Sequence, residues 1–191
     1  MSNRKLVIRA ALAMVAGLGI ATSSWGAGSL SPTLQVKSTV VQNCTADTTG
    51  DVVFGNYDPV SANTTGNNLY ATGSVAVKCT KGSPSVTIDL DVGSTGLSGN
   101  FRQMHDSVSG NNLQYQLYKT GDSPGTTCSG TGAETVIWGS GLTGGAKVTP
   151  SAGTWTSAGT LNTFNICGVL LGGQDVSVGS YSDTVTATIA F

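Results

Sequence analysis

Hydrophobic side chains recur at every second position along most of this chain, separated by Gly/Asn/Ser-rich breaks. That period of two is the spacing of half-buried β-strands. Leu34, Val36, Ser38 and Val40 alternate ahead of Cys44, and Val75, Val77 and Cys79 alternate further on. Val86, Ile88, Leu90 and Val92 follow the same rule, as do Leu113, Tyr115 and Leu117. Val52–Tyr57 and Val136–Trp138 are short apolar runs, and Phe164, Ile166, Gly168 and Leu170 form a weaker alternation. Val185, Ala187, Ile189 and Phe191 form the last run. Between them lie turn clusters at 61–68, 81–84, 93–100, 107–112, 121–132 and 139–145, rich in residues that accept positive φ or make local turn bonds. Beyond the first thirty residues no ten-residue window carries a helical period. Eight to ten short strands with regular turns predict an all-β sandwich or barrel.

Composition supports this. Only 10% of residues are charged and 27 of 191 are Gly, against about 25% and about 7% in an average protein. Glu occurs once, at Glu134, so helix bundles and coiled coils are disfavoured. No basic surplus exists to neutralise phosphates, which argues against nucleic-acid binding.

Residues 1–9 carry Arg4, Lys5 and Arg9, the stretch Ala10–Ala21 is apolar, and small or polar residues follow to Gly28. That is the layout of a secretory signal peptide over residues 1–26, with a mature start at Ala27 within two residues. The apolar run is too short for a hydrocarbon core needing about 20 residues, so no membrane span is expected in the mature chain. Six basic residues then face ten acids, a net charge of −4. Residues 27–191 make a single domain.

All four cysteines, Cys44, Cys79, Cys128 and Cys167, lie in the exported part, and an even number in an oxidising compartment reads as two disulfides. Three pairings are possible. Cys44–Cys79 with Cys128–Cys167 is favoured because sequential strands tend to be neighbours, and each closure is worth about 3–4 kcal/mol in the chain-entropy model. No close-spaced pair of the zinc-binding type occurs, so neither a metal nor any other cofactor is expected.

Candidate chemistry is sparse. The single histidine, His105, sits beside Asp106 in a Gly/Ser-rich region and reads as a surface residue. No GxxxxGK[ST] occurs. Asp89 and Asp91 alternate with apolar residues and read as one solvated strand face rather than a glycosidase pair. Trp138 and Trp155 read as core before sugar platforms. Asn43-Cys44-Thr45 and Asn63-Thr64-Thr65 match the glycosylation pattern, a match expected by chance in so Asn/Thr-rich a chain. No catalytic residue is assigned, and the chain is not expected to be an enzyme.

Several segments together resemble a known family. They are Asn43-Cys44-Thr45, the run Phe54-Gly55-Asn56-Tyr57-Asp58-Pro59, the strand from Gly73 to Thr80, Arg102-Gln103-Met104, the run from Leu113 to Tyr118, and the terminal Gly179–Phe191. They resemble the spore coat protein U domain, the domain of Csu-type subunits of archaic chaperone–usher pili. The stretch 128–171 is the least similar. The resemblance implies an immunoglobulin-like β-sandwich lacking its final strand. It implies a structural subunit of a secreted surface fibre, serving attachment or biofilm formation, with a spore or cell-surface coat protein as the alternative and a carbohydrate-binding adhesin a lesser one. It implies as partners a periplasmic chaperone, an outer-membrane usher and further copies of itself or related subunits. Arg102, within the family-like segment, is expected to hold a structural hydrogen-bond set.

Residues 27–43 are then a candidate donor-strand extension, with Leu34, Val36, Ser38 and Val40 as the inserting side chains. Alternation alone fits an ordinary first strand of the same domain, and the resemblance shifts the reading to a donor. Strand addition needs alternate side chains in a groove while the backbone pairs with an edge, and seventeen residues extend about 56–61 Å. Val185, Ala187, Ile189 and Phe191 are the candidate accepting or chaperone-binding edge. An apolar alternation ending at Phe191 needs a covered edge, from its own domain or another chain.

Overall fold

The computed structural model describes residues 28–191; the signal-peptide segment lies outside the described residues. The chain divides into two units, Met1–Ser38 and Thr39–Phe191. In the first, residues 28–38 have no regular secondary structure and every one is exposed.

The second unit holds ten strands: β1 (Cys44–Gly50), β2 (Leu69–Cys79), β3 (Thr87–Leu90), β4 (Leu97–Ser98), β5 (Phe101–His105), β6 (Asn112–Lys119), β7 (Ile137–Trp138), β8 (Gly145–Ala146), β9 (Asn162–Leu170) and β10 (Ala187–Ala190). One 3₁₀ turn, Ala152–Thr154, precedes β9. The larger sheet runs β1-β2-β9-β6-β5-β4, with β7 beside β6 and β8 beside β7; β3 and β10 make a second, two-stranded sheet. Apart from the parallel β7–β8 contact, the ladders are antiparallel. This is an all-β, sandwich-like fold.

Alternation explains the layering. Val75 and Val77 of β2, Leu113, Tyr115 and Leu117 of β6, and Phe164, Ile166 and Leu170 of β9 turn one face inward. Val86, Ile88 and Leu90 cover it from the other sheet, with Trp138, Val148 and Trp155 closing the core. Each such side chain contributes about 1.5–3 kcal/mol on full burial. The two tryptophans are 0% and 1% exposed, so they are core and not sugar platforms.

Cys44 is joined to Cys79 and Cys128 to Cys167. The first bridge links directly opposed residues at the end of the β1–β2 ladder. Arg102, fully buried, carries the structural hydrogen-bond set. Its Nε and Nη2 donate to the Asp91 carbonyl at 2.9 and 2.7 Å, Nη2 to the Trp138 carbonyl at 2.7 Å, and Nη1 to Gln116 Oε1 at 2.6 Å. It thereby ties β5 and β6 of one sheet to the end of β3.

Some elements differ from the sequence expectation. Leu34–Val40 has a strand's alternation but joins no ladder. The first strand is instead Cys44–Gly50, where the apolar signal is weak and the Cys44–Cys79 bridge holds the register. Val52–Tyr57 is not a strand: Gly55 takes φ 76° and breaks the extended run. The segment crosses the sheet where two glycines admit it. A Cβ on Gly168 would lie 2.5 Å from Val52 Cγ1 and 2.8 Å from the Phe54 ring, and one on Gly73 2.6 Å from Val52 Cγ2. Phe191 follows β10 rather than belonging to it.

Candidate assembly groove

The crossing segment and the approach to β10 stand apart, and between them lies an open groove of about 1120 Å³. Thr49–Pro59 supplies one wall and Val176–Val185 the other. The floor is apolar: Leu90 of β3, Met104 of β5, Leu113, Tyr115 and Leu117 of β6, and Ile166 and Leu170 of β9. These are inward-facing core positions whose covering layer is incomplete here.

The second wall has a fixed phase. Tyr181, Asp183, Val185, Ala187 and Ile189 are half-buried, whereas Ser182, Thr184, Thr186, Thr188 and Ala190 are exposed. The backbone follows the same alternation. The Ser182 carbonyl accepts from His105 N–H, the Thr184 carbonyl from Ser94 N–H, and the Thr186 carbonyl from Asp91 N–H. Thr188 lies opposite Asp89 and Ala190 opposite Thr87, so the same even-numbered residues continue to bond toward β3. In an antiparallel ladder the alternate residues turn their N–H and C=O to the other side. The backbone groups of Val185, Ala187 and Ile189 therefore form a free edge, since β3 is the only strand paired to β10 among the described residues.

One polar residue interrupts this inward row. Asp183 Oδ1 accepts from Ser94 Oγ at 2.8 Å and from the N–H groups of Thr95 and Thr184 at 3.0 and 2.9 Å. Its Oδ2 accepts the Tyr115 hydroxyl at 2.6 Å. Burial first, then this bond, pushes the Tyr115 phenol far above its ordinary value. The Tyr115 ring also meets Phe54 edge-on at 6.2 Å between centroids. Tyr115 thus joins the floor to both walls.

The proposed site residues fall as follows. Val185, Ala187 and Ile189 share one face against the core, and Phe191 is 55% exposed beyond the strand. Leu34, Val36 and Val40 are 87%, 89% and 82% exposed, and Ser38 is exposed with them. The floor residues were legible only as core. The wall role of Val52, Phe54 and Tyr57 had a signal in the Phe54–Pro59 motif, but not its meaning.

The remaining polar candidates are accounted for by local structure. His105 is exposed, with Nδ1 2.8 Å from Asn112 Oδ1. Asp89 accepts the Ser140 N–H at 2.9 Å and lies 3.5 Å from the Lys147 ammonium. Asp91 accepts the N–H groups of Gly93 and Thr186, so the two carboxylates have separate partners. Asn63 is buried, its Oδ1 accepting the Asp58 N–H at 2.9 Å, which leaves that glycosylation pattern inaccessible. Among the described residues no group of three or more His, Cys, Asp or Glu side chains is placed to hold a metal ion.

The family model described as Spore Coat Protein U domain matches residues 30–188; the family is structural, not enzymatic. Protein U of Myxococcus xanthus is 33% identical over 148 residues, covering 74% of this chain and 72% of its own length. Among solved structures, a chain of the CsuC–CsuE chaperone–tip adhesion subunit pre-assembly complex from archaic chaperone–usher Csu pili of Acinetobacter baumannii is similar at TM-score 0.49 and 20% identity, over 80% of this chain. A chain of a chaperone–tip adhesin complex of CFA/I fimbriae is similar at TM-score 0.41 and 13% identity, over 71% of this chain. The present chain spans 40% and 38% of those two solved chains.

Proposed function

From a chain that belongs to the Spore Coat Protein U domain family, we propose a structural subunit of a cell-surface fibre, assembled when the N-terminal segment of one copy fills the groove of the next. One observation carries this reading: an apolar groove bordered by a free strand edge occurs in a chain that also carries an exposed apolar alternation ahead of Cys44. An added strand would satisfy the edge with backbone bonds and place alternate side chains on the floor. An uncovered apolar edge is otherwise an aggregation hazard, so a periplasmic chaperone is the natural occupant before assembly and an outer-membrane usher the place of exchange. Residues 1–26 serve as the export signal in this scheme, and the fibre's role is attachment to surfaces or biofilm formation.

A spore or cell-surface coat protein is the second reading, favoured by the family's own description. The test compares the chain from Ala27 with one lacking residues 27–43, each exported and run unheated on denaturing gels. A ladder that collapses on boiling and is absent from the shortened chain is expected, with thin fibres by electron microscopy. A stable monomer with no ladder would sink strand donation, and a ladder without fibres would favour the coat.

A further inference from the structure

Resting on that reading, we propose that the register of insertion is set by one polar match: Ser38 of the incoming copy seats opposite Asp183, with the donor antiparallel to β10. The inward row of the acceptor, Tyr181, Asp183, Val185, Ala187 and Ile189, has a single polar member. The donor row Leu34, Val36, Ser38 and Val40 also has one. A slip by one residue would turn the donor's apolar set away from the floor, so the competing registers differ by two.

With Ser38 at Asp183, an antiparallel donor sets Val40 against Tyr181, Val36 against Val185 and Leu34 against Ala187. Large meets small at the last pair, and every remaining pair is apolar. A slip by two in either direction places Val36 or Val40 over the Asp183 carboxylate. That covers a charged group with a side chain unable to donate to it, a costly burial. Asp183 Oδ1 already has three donors, whereas Oδ2 has only the Tyr115 hydroxyl. A carboxylate oxygen accepts two bonds comfortably, and the Ser38 hydroxyl supplies the second. Tyr181 is the poorer partner in a slipped register: its hydroxyl donates to the Ser177 carbonyl at 2.7 Å and could only accept from Ser38 as a neutral phenol, a weaker bond than one to a carboxylate.

Direction follows from the same counting. A parallel donor with Ser38 at Asp183 would bring residue 42 to Ala187 and Cys44 to Ile189. Cys44 is buried and bridged to Cys79 within its own copy, so it is not free to lie on a neighbour. The antiparallel arrangement uses only residues ahead of Val41, all of which are exposed among those described.

The test uses the full chain from Ala27 with paired cysteines, oxidised, boiled and run without reductant. Directly opposed residues on neighbouring strands are within disulfide reach. The pair L34C with A187C should give covalent species of three or more copies, at least tenfold above P32C with A187C or V36C with A187C. Exchanging the polar position, V36S with S38V, should move the strongest link to P32C with A187C. A strongest link at P32C or V36C in the parent chain, or one that stays at L34C after the exchange, overturns the register proposal while leaving strand donation intact. A parent chain with no heat-labile ladder and no covalent ladder from any pair overturns strand donation itself.

Discussion

The Tyr115 hydroxyl donates to Asp183 Oδ2 at 2.6 Å, and so joins β6 in the large sheet to the segment that leads into β10 in the small one. The bond runs from the floor of the groove to its second wall. Tyr115→Phe keeps the ring and removes the donor. A hydrogen bond to a charged acceptor is worth about 1.5–3 kcal/mol, so Y115F should lose stability of that order in urea unfolding. The phenol's value is raised in the fold, so its contribution is complete below the ordinary tyrosine value of 10.0 and falls away as pH rises above it. The parent chain should therefore lose stability more steeply than Y115F above about pH 10.

Gly168 admits the crossing segment that forms the first wall. Gly168→Val drives a side chain into Val52 and Phe54. Overpacking of this kind costs about 1–3 kcal/mol, and displacing Phe54 should also weaken the heat-labile ladder. Gly159→Ala, where nothing lies within 4 Å of an added Cβ, is the control. Equal thermal midpoints for the two variants would contradict the wall assignment.

Arg102 is buried with carbonyl and amide acceptors from three parts of the chain. Arg102→Met leaves the Asp91 and Trp138 carbonyls without their donor, while Gln116 Oε1 keeps the Leu117 N–H, and should cost about 1–3 kcal/mol for each carbonyl left unpaired. Arg102→Lys should recover little, since an ammonium cannot reproduce the planar fork. Comparing both with the parent by circular dichroism melting checks this; full rescue by lysine would show that charge alone matters.

Each disulfide closes a loop of similar size, with sequence separations of 35 and 39. Replacing either pair by serine should cost about 3–4 kcal/mol. C44S/C79S should also lower ladder yield more than C128S/C167S at matched folded protein, because Cys44 anchors the root of the donor segment. Densitometry of unheated gels decides this.

Acid should weaken the fold through Asp91. Its partial burial acts to raise the carboxyl, but the N–H groups of Thr186 and Gly93, with the Arg102 charge nearby, outweigh burial and hold it below the ordinary value of 3.8. A depressed carboxylate stabilises the fold above that value and ceases to as pH falls through the folded one. Urea midpoints should drop between about pH 4 and pH 2, with a shallower slope in D91N. An unchanged slope would remove Asp91 from the account.

Period-two alternation was enough to place Val75–Cys79, Val86–Leu90 and Leu113–Leu117 in strands, because a residue's face in a sheet depends only on its parity. The inward row Val185, Ala187 and Ile189 was legible for the same reason, and the scarcity of charge and of Glu already excluded helices as the main element. Other features depend on what meets what in space. Cys44–Gly50 forms a strand with little local signal, because pairing with β2 supplies its bonds. Val52–Tyr57 looks like a strand and is a strap, because Gly73 and Gly168 let it cross the sheet. The pairing of Asp183 with Tyr115, sixty-eight positions apart, has no local mark at all. The chain's own pattern determined an all-β sandwich or barrel with an alternating segment ahead of its first cysteine. Only tertiary structure decided that the two layers leave a groove and a free edge, because the spacing of Thr49–Pro59 from Val176–Val185 is set by how both pack on a shared core.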